Sequence, residues 1–433
     1  MKEFDKIIGY RSVKHELEQI SDTLKNREIY QKLGVCPPVG LLLHGEPGVG
    51  KTLMAKCLVA ASGLKAYVCR KDKPNGDFVK SIKETFDKAV SAAPAIVFLD
   101  DMDKFANGDP RRPDCEEYVT VQSCIDEVRD KEVFVLATAN STRALPRSLL
   151  RAGRFDRVIE VDAPEGQDAV EIITHFIKNK NFADGVNPKT IARIMNGHSC
   201  AELETVINEA GLLAGFERAD KITMDHFMEA YMRTVFHVSP TCADDDEDWY
   251  YAEANARSER IRYHETGHAV ISELLIPESV TLVSAHNRIY SSGGFTSYYR
   301  GENTDPILWE KTRVISSLGG AAATEQKFGQ SDSGATHDID QAFDMMYDLV
   351  TNHCICGFNL HEWDYRDSEE VIASRERAAT MEVERYFRKA KEILALNAEF
   401  FEKVAKALQT KLVLTTDDIQ RIKAECTIVP VSI

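Results

Sequence analysis

The stretch that decides the fold is Gly45-Glu46-Pro47-Gly48-Val49-Gly50-Lys51-Thr52. A short apolar run at residues 40–43 precedes it, and a helical pattern at residues 53–61 follows it. Glycines at such a turn let backbone N–H groups point inward onto phosphate oxygens, at the positive end of the next helix. The stretch therefore predicts a phosphate-binding loop between a buried strand and a helix.

The side chains of this loop have predicted roles in binding ATP. Lys51 is expected to reach the β- and γ-phosphates, and the Thr52 hydroxyl is expected to bind Mg²⁺. The residues predicted to contact the nucleotide here are Gly45, Pro47, Gly48, Val49, Gly50, Lys51, Thr52 and Leu53.

A second apolar run ends in acidic residues. Residues 95–99 read as a buried strand that is followed by Asp100 and Asp101. We expect Asp100 to hold the magnesium ion, directly or through water, and Asp101 to polarise the attacking water. Residues 132–137 read as a third strand, and helical patterns lie between the strands, which predicts a doubly wound parallel sheet.

The remainder of the chain reads as mainly helical, with one hairpin expected at residues 280–299. An acidic block, Asp244-Asp245-Asp246-Glu247-Asp248, is typical of a solvated linker. The predicted domains are 1–162 (α/β nucleotide-binding), 163–238 (helical lid), 239–255 (acidic linker) and 256–433 (mainly helical).

Composition narrows the function classes. The 433 residues are 43% hydrophobic and 28% charged, as in soluble globular proteins, and the length predicts two or three domains. A net charge of −16 argues against a nucleic-acid partner. The ten cysteines are scattered, which fits a reducing compartment. No apolar run approaches the roughly 18 residues of a membrane span, so we expect a cytoplasmic chain without a membrane segment. The alternative is a location at the cytoplasmic face of a membrane, if this sequence is a piece of a longer protein.

A second catalytic pattern is His264-Glu265-Thr266-Gly267-His268. In a helix predicted over residues 258–275, the i, i+4 spacing puts both imidazoles on one face, one turn apart, where they can bind one Zn²⁺. Glu265 projects beside them, where we expect it to take a proton from zinc-bound water and pass it to the leaving amine. The pattern predicts a zinc peptidase.

Two histidines need a third protein ligand. The candidates that spacing alone allows are Glu325, Asp332, His337, Asp338, Asp340, His353, Cys354 and Cys356. The residues by themselves leave this choice open.

Both halves resemble one known family. Residues 1–235 look like the ATPase module of AAA+ proteins, most closely of the FtsH type. The matching segments are 4–9 (Phe-Asp-Lys-Ile-Ile-Gly), 138–140 (Thr-Ala-Asn), 150–157 and 197–203. The segments similar to the protease motifs of the same family are, in family order, 262–269, 318–325 and 333–339. The resemblance covers nearly the whole chain and implies a AAA+ ATPase followed by a zincin-like metalloprotease domain.

The resemblance also implies residue roles. Asp338 is the third zinc ligand, and Asn140 senses the γ-phosphate. Arg151 and Arg154 are arginine fingers that act on the nucleotide of a neighbouring subunit, which implies a homo-hexameric ring. The further nucleotide contacts that it implies are Ile8 and Gly9 in the opening segment, and Gly197 and Ala201 in the lid.

The motor half departs from the family pattern twice. Asp101 stands where the family usually has Glu, and the shorter side chain withdraws the carboxylate by about 1 Å, so we expect slow ATP hydrolysis with near-normal binding. Residues 69–79 lack the aromatic–aliphatic–glycine motif that grips substrate in the pore. The three cations there would suit acidic substrates, and Phe78, the nearest aromatic residue, is expected to be a core residue.

In the protease half, position 321 lacks the family's arginine and position 324 its acidic residue, which leaves the groups around the zinc ligands undetermined. The resemblance implies that the edge strand at residues 293–296 binds extended substrate by adding a strand to the sheet.

Three functions follow from these patterns. The first is an ATP-dependent zinc endopeptidase that translocates and degrades protein substrates in a hexameric ring. The second is an ATPase remodeller with a decayed motor or protease, and the third is a weakly ATP-coupled protease of unfolded chains.

Overall fold

The computed structural model describes residues 3–433 apart from 36, 73–74, 106–114, 238–247, 286–293, 302, 332 and 362–367. Only the backbone is described at residues 75–76, 144, 248–258 and 333. The chain divides into two compact units, Met1–Ala230 and Tyr231–Ile433. Most of the predicted acidic linker falls outside the described residues.

The first unit is built on a five-stranded parallel sheet. Its strands are β1 (Gly40–His44), β2 (Lys65–Cys69), β3 (Ala95–Leu99), β4 (Val133–Ala139) and β5 (Arg157–Glu160). Their spatial order is β2-β3-β4-β1-β5, and each neighbouring pair is parallel. This confirms the predicted doubly wound α/β fold.

The three strands predicted from sequence are the three interior ones. All five residues of β3 and all seven of β4 are buried, so each reads as a continuous apolar run. The strands that sequence patterns missed, β2 and β5, lie at the two edges of the sheet and carry exposed residues such as Lys65 and Arg157. An edge strand is solvated on one side, and its apolar signal is correspondingly weak.

Helices cover the sheet and continue into a helical segment. They are α1 (Arg11–Lys25), α2 (Arg27–Lys32), α3 (Lys51–Ser62), α4 (Asn75–Ser91), α5 (Glu116–Val128), α6 (Gly166–Ile177), α7 (Pro188–Ile194), α8 (Cys200–Phe216) and α9 (Met224–Thr234). The boundary between the two units falls inside α9. Apart from one isolated bridge between Phe182 and Ile222, the described residues from 166 to 230 contain no strand pairing, in line with the predicted helical lid.

The second unit is mainly helical, as predicted, with a small antiparallel sheet. Its helices are α10 (Asp248–Leu275), α11 (Pro306–Ser317), α12 (Gly319–Phe328), α13 (Thr336–Thr351), α14 (Glu369–Leu396), α15 (Ala398–Lys411) and α16 (Thr416–Ala424). The strands are β6 (Val280–Ser284), β7 (Phe295–Tyr298) and β8 (Val413–Thr415), in the spatial order β7-β6-β8.

Two features of this unit differ from the sequence-based expectation. The helix α10 begins at Asp248, ten residues before the predicted start at 258, so it extends into the span expected as linker. The hairpin strands β6 and β7 pair antiparallel as predicted, but β8, only three residues long, gave no sequence signal.

Glycines let two helices of this unit approach closely. A Cβ at Gly267 of α10 would lie 2.2 Å from the carbonyl oxygen of Gly319, and a Cβ at Gly319 of α12 would lie 2.7 Å from the carbonyl oxygen of Gly267. Only glycine fits at either position, because any side chain would overlap the facing backbone. The contact brings the start of α12 against the histidine-bearing face of α10.

Candidate nucleotide and zinc sites

The phosphate-binding loop joins the end of β1 to the start of α3. Gly45, Gly48 and Gly50 all have positive φ, at 147°, 86° and 100°. A Cβ at Gly45 would lie 1.9 Å from the carbonyl oxygen of Val161, so this position admits glycine alone. Within the predicted contact set, Val49 is buried, whereas Pro47 and Leu53 are exposed.

Lys51 lies inside this loop. Its Nζ donates to the carbonyl oxygens of Gly45 and Glu46, each at 2.7 Å, and to Asn140 Oδ1 at 3.1 Å. Burial lowers the pKa of Lys51, while the charges of nearby carboxylates act in the opposite direction. The ammonium is therefore held at the loop by backbone oxygens, and its contact with the β- and γ-phosphates stays a prediction.

The predicted magnesium residues meet at the carboxyl edge of the sheet. The Thr52 hydroxyl donates to Asp100 Oδ1 at 3.2 Å, and the Thr138 hydroxyl donates to the same oxygen at 2.9 Å. A hydroxyl and a carboxylate oxygen within hydrogen-bonding distance are a donor set that suits Mg²⁺. Thr138, which β4 places here, was not predicted from its residue type alone.

Asp101 is held in ion pairs. It has a left-handed backbone conformation with φ of 55°, and its Oδ2 lies 3.1 Å from Arg70 Nη2 and 2.8 Å from Lys104 Nζ. Burial alone would raise the pKa of Asp101, but hydrogen bonds from Lys104 and Arg70 bring it below its ordinary value. The Asp101 carboxylate, which was predicted to polarise water, thus forms ion pairs with two basic side chains of this chain.

Asn140 is positioned by an acidic residue that the sequence patterns missed. Asp103 accepts from the Asn140 backbone N–H at 3.1 Å and from its Nδ2 at 3.2 Å. Since Asn140 Oδ1 also accepts from Lys51, the amide is fixed in one orientation beside the loop. The only sequence signal for Asp103 is its place shortly after β3.

The helical lid contacts the phosphate-binding loop directly. The Ala201 backbone N–H donates to the Gly48 carbonyl oxygen at 3.1 Å, and Gly197 has a positive φ of 81° just before α8. Gly9, in the opening segment, packs against Asp168 of α6, whose carbonyl oxygen would lie 3.0 Å from a Cβ at that position. Ile8 is half-buried beside it.

The two predicted arginine fingers differ in their surroundings. Arg154 makes a bidentate pair with Asp126, with Nε to Oδ1 at 3.0 Å and Nη2 to Oδ2 at 2.8 Å, and donates to the Ser148 carbonyl oxygen at 2.6 Å. Arg151 is exposed. Within one chain, then, Arg151 is available to a neighbour and Arg154 is engaged.

The cations that follow β2 are engaged within the chain where the structure describes them. Arg70 pairs with Asp101, and Lys71 lies 3.7 Å from the buried Glu117 of α5. Phe78 is fully buried and packs edge-on against Phe105 with ring centroids 4.8 Å apart. Phe78 is therefore a core residue, as expected, and two of the three cations expected to attract acidic substrates are engaged within the chain. The third, Lys73, lies outside the described residues.

In the second unit, three potential zinc ligands converge. His264 Nε2 lies 2.9 Å from Asp338 Oδ2 and 3.0 Å from His268 Nε2, while His268 Nε2 lies 3.4 Å from Asp338 Oδ2. All three atoms fall within 4.8 Å of one another, and no other group of three metal-binding side chains is found among the described residues. Two imidazole nitrogens and one carboxylate oxygen are the protein donors of a catalytic zinc site, so the residues present fit Zn²⁺.

The other candidates for third ligand do not join this cluster. Glu325 pairs with Lys391 at 2.9 Å, and His337 and Asp340 are exposed. Cys354 Sγ lies 3.6 Å from His361 Nδ1 instead, while His353 and Cys356 are exposed. Asp332 is outside the described residues.

Backbone contacts orient both histidines. His268 Nδ1 lies 2.6 Å from the Ser316 carbonyl oxygen, which can only accept, so Nδ1 carries the proton and Nε2 is left free to bind metal. A Cβ at Gly320 would lie 2.4 Å from His264 Cε1, so the start of α12 packs directly against the imidazole ring. Thr324, where the family has an acidic residue, bonds only the Gly320 and Ala321 carbonyl oxygens of its own helix.

Glu265 is buried beside the metal-binding cluster. It is 6% exposed, and its Oε2 accepts from the Thr296 hydroxyl of β7 at 2.9 Å. Burial raises the pKa of Glu265, against the opposing charges of His268 and His264. A Cβ at Gly294 would lie 2.6 Å from Glu265 Cγ, so the start of β7 is pressed against this side chain.

The pKa of Asp338, the carboxylate of the cluster, shifts in the opposite direction to that of Glu265. Burial alone would raise the pKa of Asp338, but hydrogen bonds to His264 and His268 hold it well below its usual range. Asp338 is therefore ionised at neutral pH, which is the state that binds a cation.

Among the described residues, no helix combines the length and apolar character needed to cross a bilayer.

Models of known protein families match residues in both units. The model of the ATPase family associated with various cellular activities (AAA) matches residues 41–163, the AAA+ lid domain matches residues 185–229, and Peptidase family M41 matches residues 252–422.

Curated relatives match nearly the whole chain. An ATP-dependent zinc metalloprotease FtsH of Caldicellulosiruptor bescii is 30% identical over 98% of this chain and 72% of its own length. An ATP-dependent zinc metalloprotease FtsH 2 of Sphaerobacter thermophilus is 31% identical over 94% of this chain and 64% of its own length. An FtsH of Thermotoga maritima is 29% identical over 98% of this chain and 73% of its own length. The chain therefore belongs to the FtsH family of ATP-dependent zinc metalloproteases, whose cofactors are Zn²⁺ and ATP with Mg²⁺.

Proposed function

We propose that this chain is an ATP-dependent zinc endopeptidase in which His264, His268 and Asp338 hold the metal and Glu265 is the catalytic base. The observation that carries the proposal is the cluster itself, because three ligand atoms lie within 4.8 Å of one another beside a buried carboxylate. When bound there, Zn²⁺ supplies a Lewis acid that makes water a nucleophile at neutral pH.

The protein's own contribution is proton transfer by Glu265. Its carboxylate takes a proton from the attacking water and delivers it to the amine that leaves when the peptide bond breaks. A pKa raised by burial suits a group that must both accept and release a proton. The Thr296 hydroxyl fixes the carboxylate by donating to Oε2, which links the base to the strand β7.

The exposed edge of β7 supports substrate binding in an extended conformation. Among the described strands, β7 pairs only with β6, and Gly294 and Thr296 lie against Glu265. A peptide added to that edge would run past the base. The expectation for residues 293–296 remains a proposal, and Gly293 is outside the described residues.

The first unit supplies the ATPase. We infer that the predicted loop residues, Asp100 and Asn140 bind ATP and Mg²⁺, and that Asp101 polarises water less effectively than the longer Glu. Arg151, exposed in the single chain, is the better placed arginine finger. Its action on a neighbouring subunit requires an oligomer, for which we propose the homo-hexameric ring that moves protein substrates into the protease.

The domain limits and the location follow the sequence-based proposals. We propose boundaries at 162, 238 and 255. The family matches end at 163 and 229 and begin again at 252, and the two compact units meet at Ala230. The eight described cysteines are all free, which supports a reducing compartment such as the cytoplasm.

A weakly coupled protease is the second candidate. Two observations favour it. Asp101 is engaged by Arg70 and Lys104, and Lys71 after β2 and Phe78 of α4 both point into the chain. Both point to a motor that hydrolyses ATP slowly and grips substrate poorly.

One assay separates these functions. Casein and a folded reporter are incubated with the zinc-loaded protein, with and without ATP, in parallel with Glu265→Gln. Degradation of both substrates only with ATP is the expected result. Casein degradation without ATP would instead establish the weakly coupled protease. If the wild type degrades neither, or degrades as fast as Glu265→Gln, the peptidase proposal is wrong and a remodelling ATPase takes its place.

A further inference from the structure

An arginine of α11 lies next to the peptidase centre and has one buried nitrogen without a hydrogen-bond partner among the described residues. The guanidinium of Arg313 stacks over the ring of Tyr298, 3.8 Å from the ring centroid. Tyr298 and Thr296 are two residues apart on β7, so their side chains lie on the same face of the strand. Because Thr296 donates to Glu265, this is the face that meets the catalytic base.

Tyr298 also contacts the segment that orients a zinc ligand. Its hydroxyl lies 3.1 Å from Ser316 Oγ, and Ser316 Oγ donates to the His268 carbonyl oxygen at 2.9 Å. Since Ser316 has a single hydroxyl proton, Tyr298 is the donor to Ser316. Arg313 and Ser316 are three residues apart on α11 and so share one side of that helix.

The charges of Arg313 and Glu265 both act on this tyrosine. Burial raises the pKa of Tyr298, with Arg313 acting to lower it and Glu265 acting to raise it. Arg313 and Glu265 therefore both lie close enough to Tyr298 to interact with it electrostatically.

One nitrogen of Arg313 has hydrogen-bonding capacity that no described residue uses, although the side chain also bonds to Tyr298. Its Nη1 is buried and makes no hydrogen bond, and none of the ion pairs formed by the described residues includes this guanidinium. The whole sequence has 69 acidic against 53 basic side chains, so carboxylates are plentiful. A buried N–H donor without a hydrogen-bond partner is costly, and an anionic ligand that accepts from the guanidinium would remove that cost.

The ligand class follows from guanidinium chemistry. A planar cation with parallel N–H donors binds a carboxylate in two-point fashion, and Arg is favoured over Lys wherever that recognition matters. The Tyr298 ring holds the guanidinium plane on one side, which orders the donors before substrate arrives. Peptide substrates offer such a group in Asp and Glu side chains.

We propose that Arg313, oriented by Tyr298, is a specificity-determining residue that binds an acidic side chain of the substrate near the scissile bond. The proposal rests on the peptidase function proposed above. It assigns to the protease half a preference for acidic substrates, which the sequence predicted for the cations after β2.

The test uses the zinc-loaded 433-residue chain and one casein-derived peptide that it cleaves at a single bond. Glu or Gln is placed in turn at each of the four positions on either side of that bond, and kcat/KM is measured for each pair. At one position we expect Glu to be preferred by about tenfold, as a charged hydrogen bond implies. Arg313→Met should bring that ratio to about one, and Arg313→Lys should keep part of it.

Two controls make the outcome decisive. Lys311→Met removes a nearby cation of the same helix and should leave the Glu-to-Gln ratio unchanged. Binding of the same labelled peptides to Glu265→Gln, with and without Arg313→Met, is measured by fluorescence anisotropy. That arm needs no cleavage, so it tests this inference even where the proposed peptidase activity fails. Zinc content and thermal unfolding of each variant identify any that fails to fold.

Two results would overturn the proposal. One is a wild type that shows no position with a Glu preference, or a preference that survives in Arg313→Met. The other is an Arg313→Met variant in which kcat/KM for the Glu and Gln peptides falls by the same factor, because Arg313 would then only position Tyr298.

Discussion

Gly320 lies directly behind the imidazole of His264: a Cβ at residue 320 would come within 2.4 Å of Cε1, 2.5 Å of Nε2 and 2.6 Å of Nδ1. The first turn of α12 is thus the wall against which a proposed zinc ligand rests. Ring atoms cannot be displaced cheaply, because the opposite side of the ring faces Asp338 and His268.

Gly320→Ala should therefore weaken zinc binding. The added methyl group pushes the His264 ring out of the cluster, and losing the alignment of one ligand should lower zinc affinity by about 10- to 100-fold. Competition with a chromogenic chelator measures this directly. Gly215→Ala is the matched control, since that helical glycine has open space around it and should keep wild-type zinc affinity. Equal affinities in Gly320→Ala and wild type would show that α12 can move away from the ring.

Asp101→Glu should raise the ATPase rate. The longer side chain advances the carboxylate by about 1 Å, and a displacement of that size can change a rate by on the order of 100-fold. Steady-state phosphate release at saturating ATP is the measurement, with ATP affinity expected to stay near that of the wild type. An unchanged turnover would mean that another group, such as Asp103, already orients the water.

The two arginines of the proposed finger segment should behave differently. Arg151→Ala should lower ATP turnover by about 10³-fold or more while leaving ATP binding intact, since a finger stabilises charge that develops only during transfer. Arg154→Ala should mainly reduce stability, by about 1 kcal/mol at most, because its partner Asp126 is half exposed to solvent. Parallel ATPase and thermal unfolding measurements decide between them, and the reverse pattern would transfer the finger role to Arg154.

Stability of the second unit should depend on the charge of Asp418. This buried carboxylate accepts from the Thr415 backbone N–H at 3.1 Å and pairs with Lys411 and Arg421, each at 2.6 Å. Burial alone would raise the pKa of Asp418, but Lys411 and the Thr415 hydrogen bonds lower it below 3.8. A depressed folded-state pKa stabilises the fold above the unfolded pKa, and that contribution is lost as the pH falls through the folded value.

Asp418→Asn should accordingly be less stable than wild type at pH 7, by about 1 kcal/mol for the loss of the charged cap. The difference should shrink below pH 4, where the wild-type carboxylate also becomes protonated. Thermal unfolding midpoints of both proteins at pH 7 and pH 3 measure it. A gap of the same size at both pH values would assign the effect to side-chain shape rather than charge.

The features that the sequence predicted most reliably are those that depend on residues close together along the chain. The loop Gly45–Thr52 and the two buried strands β3 and β4 were readable because glycine spacing and continuous apolar runs are local properties. The edge strands β2 and β5 were missed, since their residues face solvent in part and their strand conformation depends on partners far along the chain.

His264, Glu265 and His268 were likewise fixed by the sequence alone, because the helical period places residues four apart on one face. The third ligand was not, since eight side chains satisfied the spacing and only resemblance singled out Asp338. Tertiary structure decided that Asp338 Oδ2 lies 2.9 Å from His264. It also determined contacts that no sequence pattern predicted: the ion pairs of Arg70 and Lys104 with Asp101, and the stacking of the Arg313 guanidinium over Tyr298. Such contacts join residues from different helices and strands, and only the packing of those elements determines which charges meet and which remain without a partner.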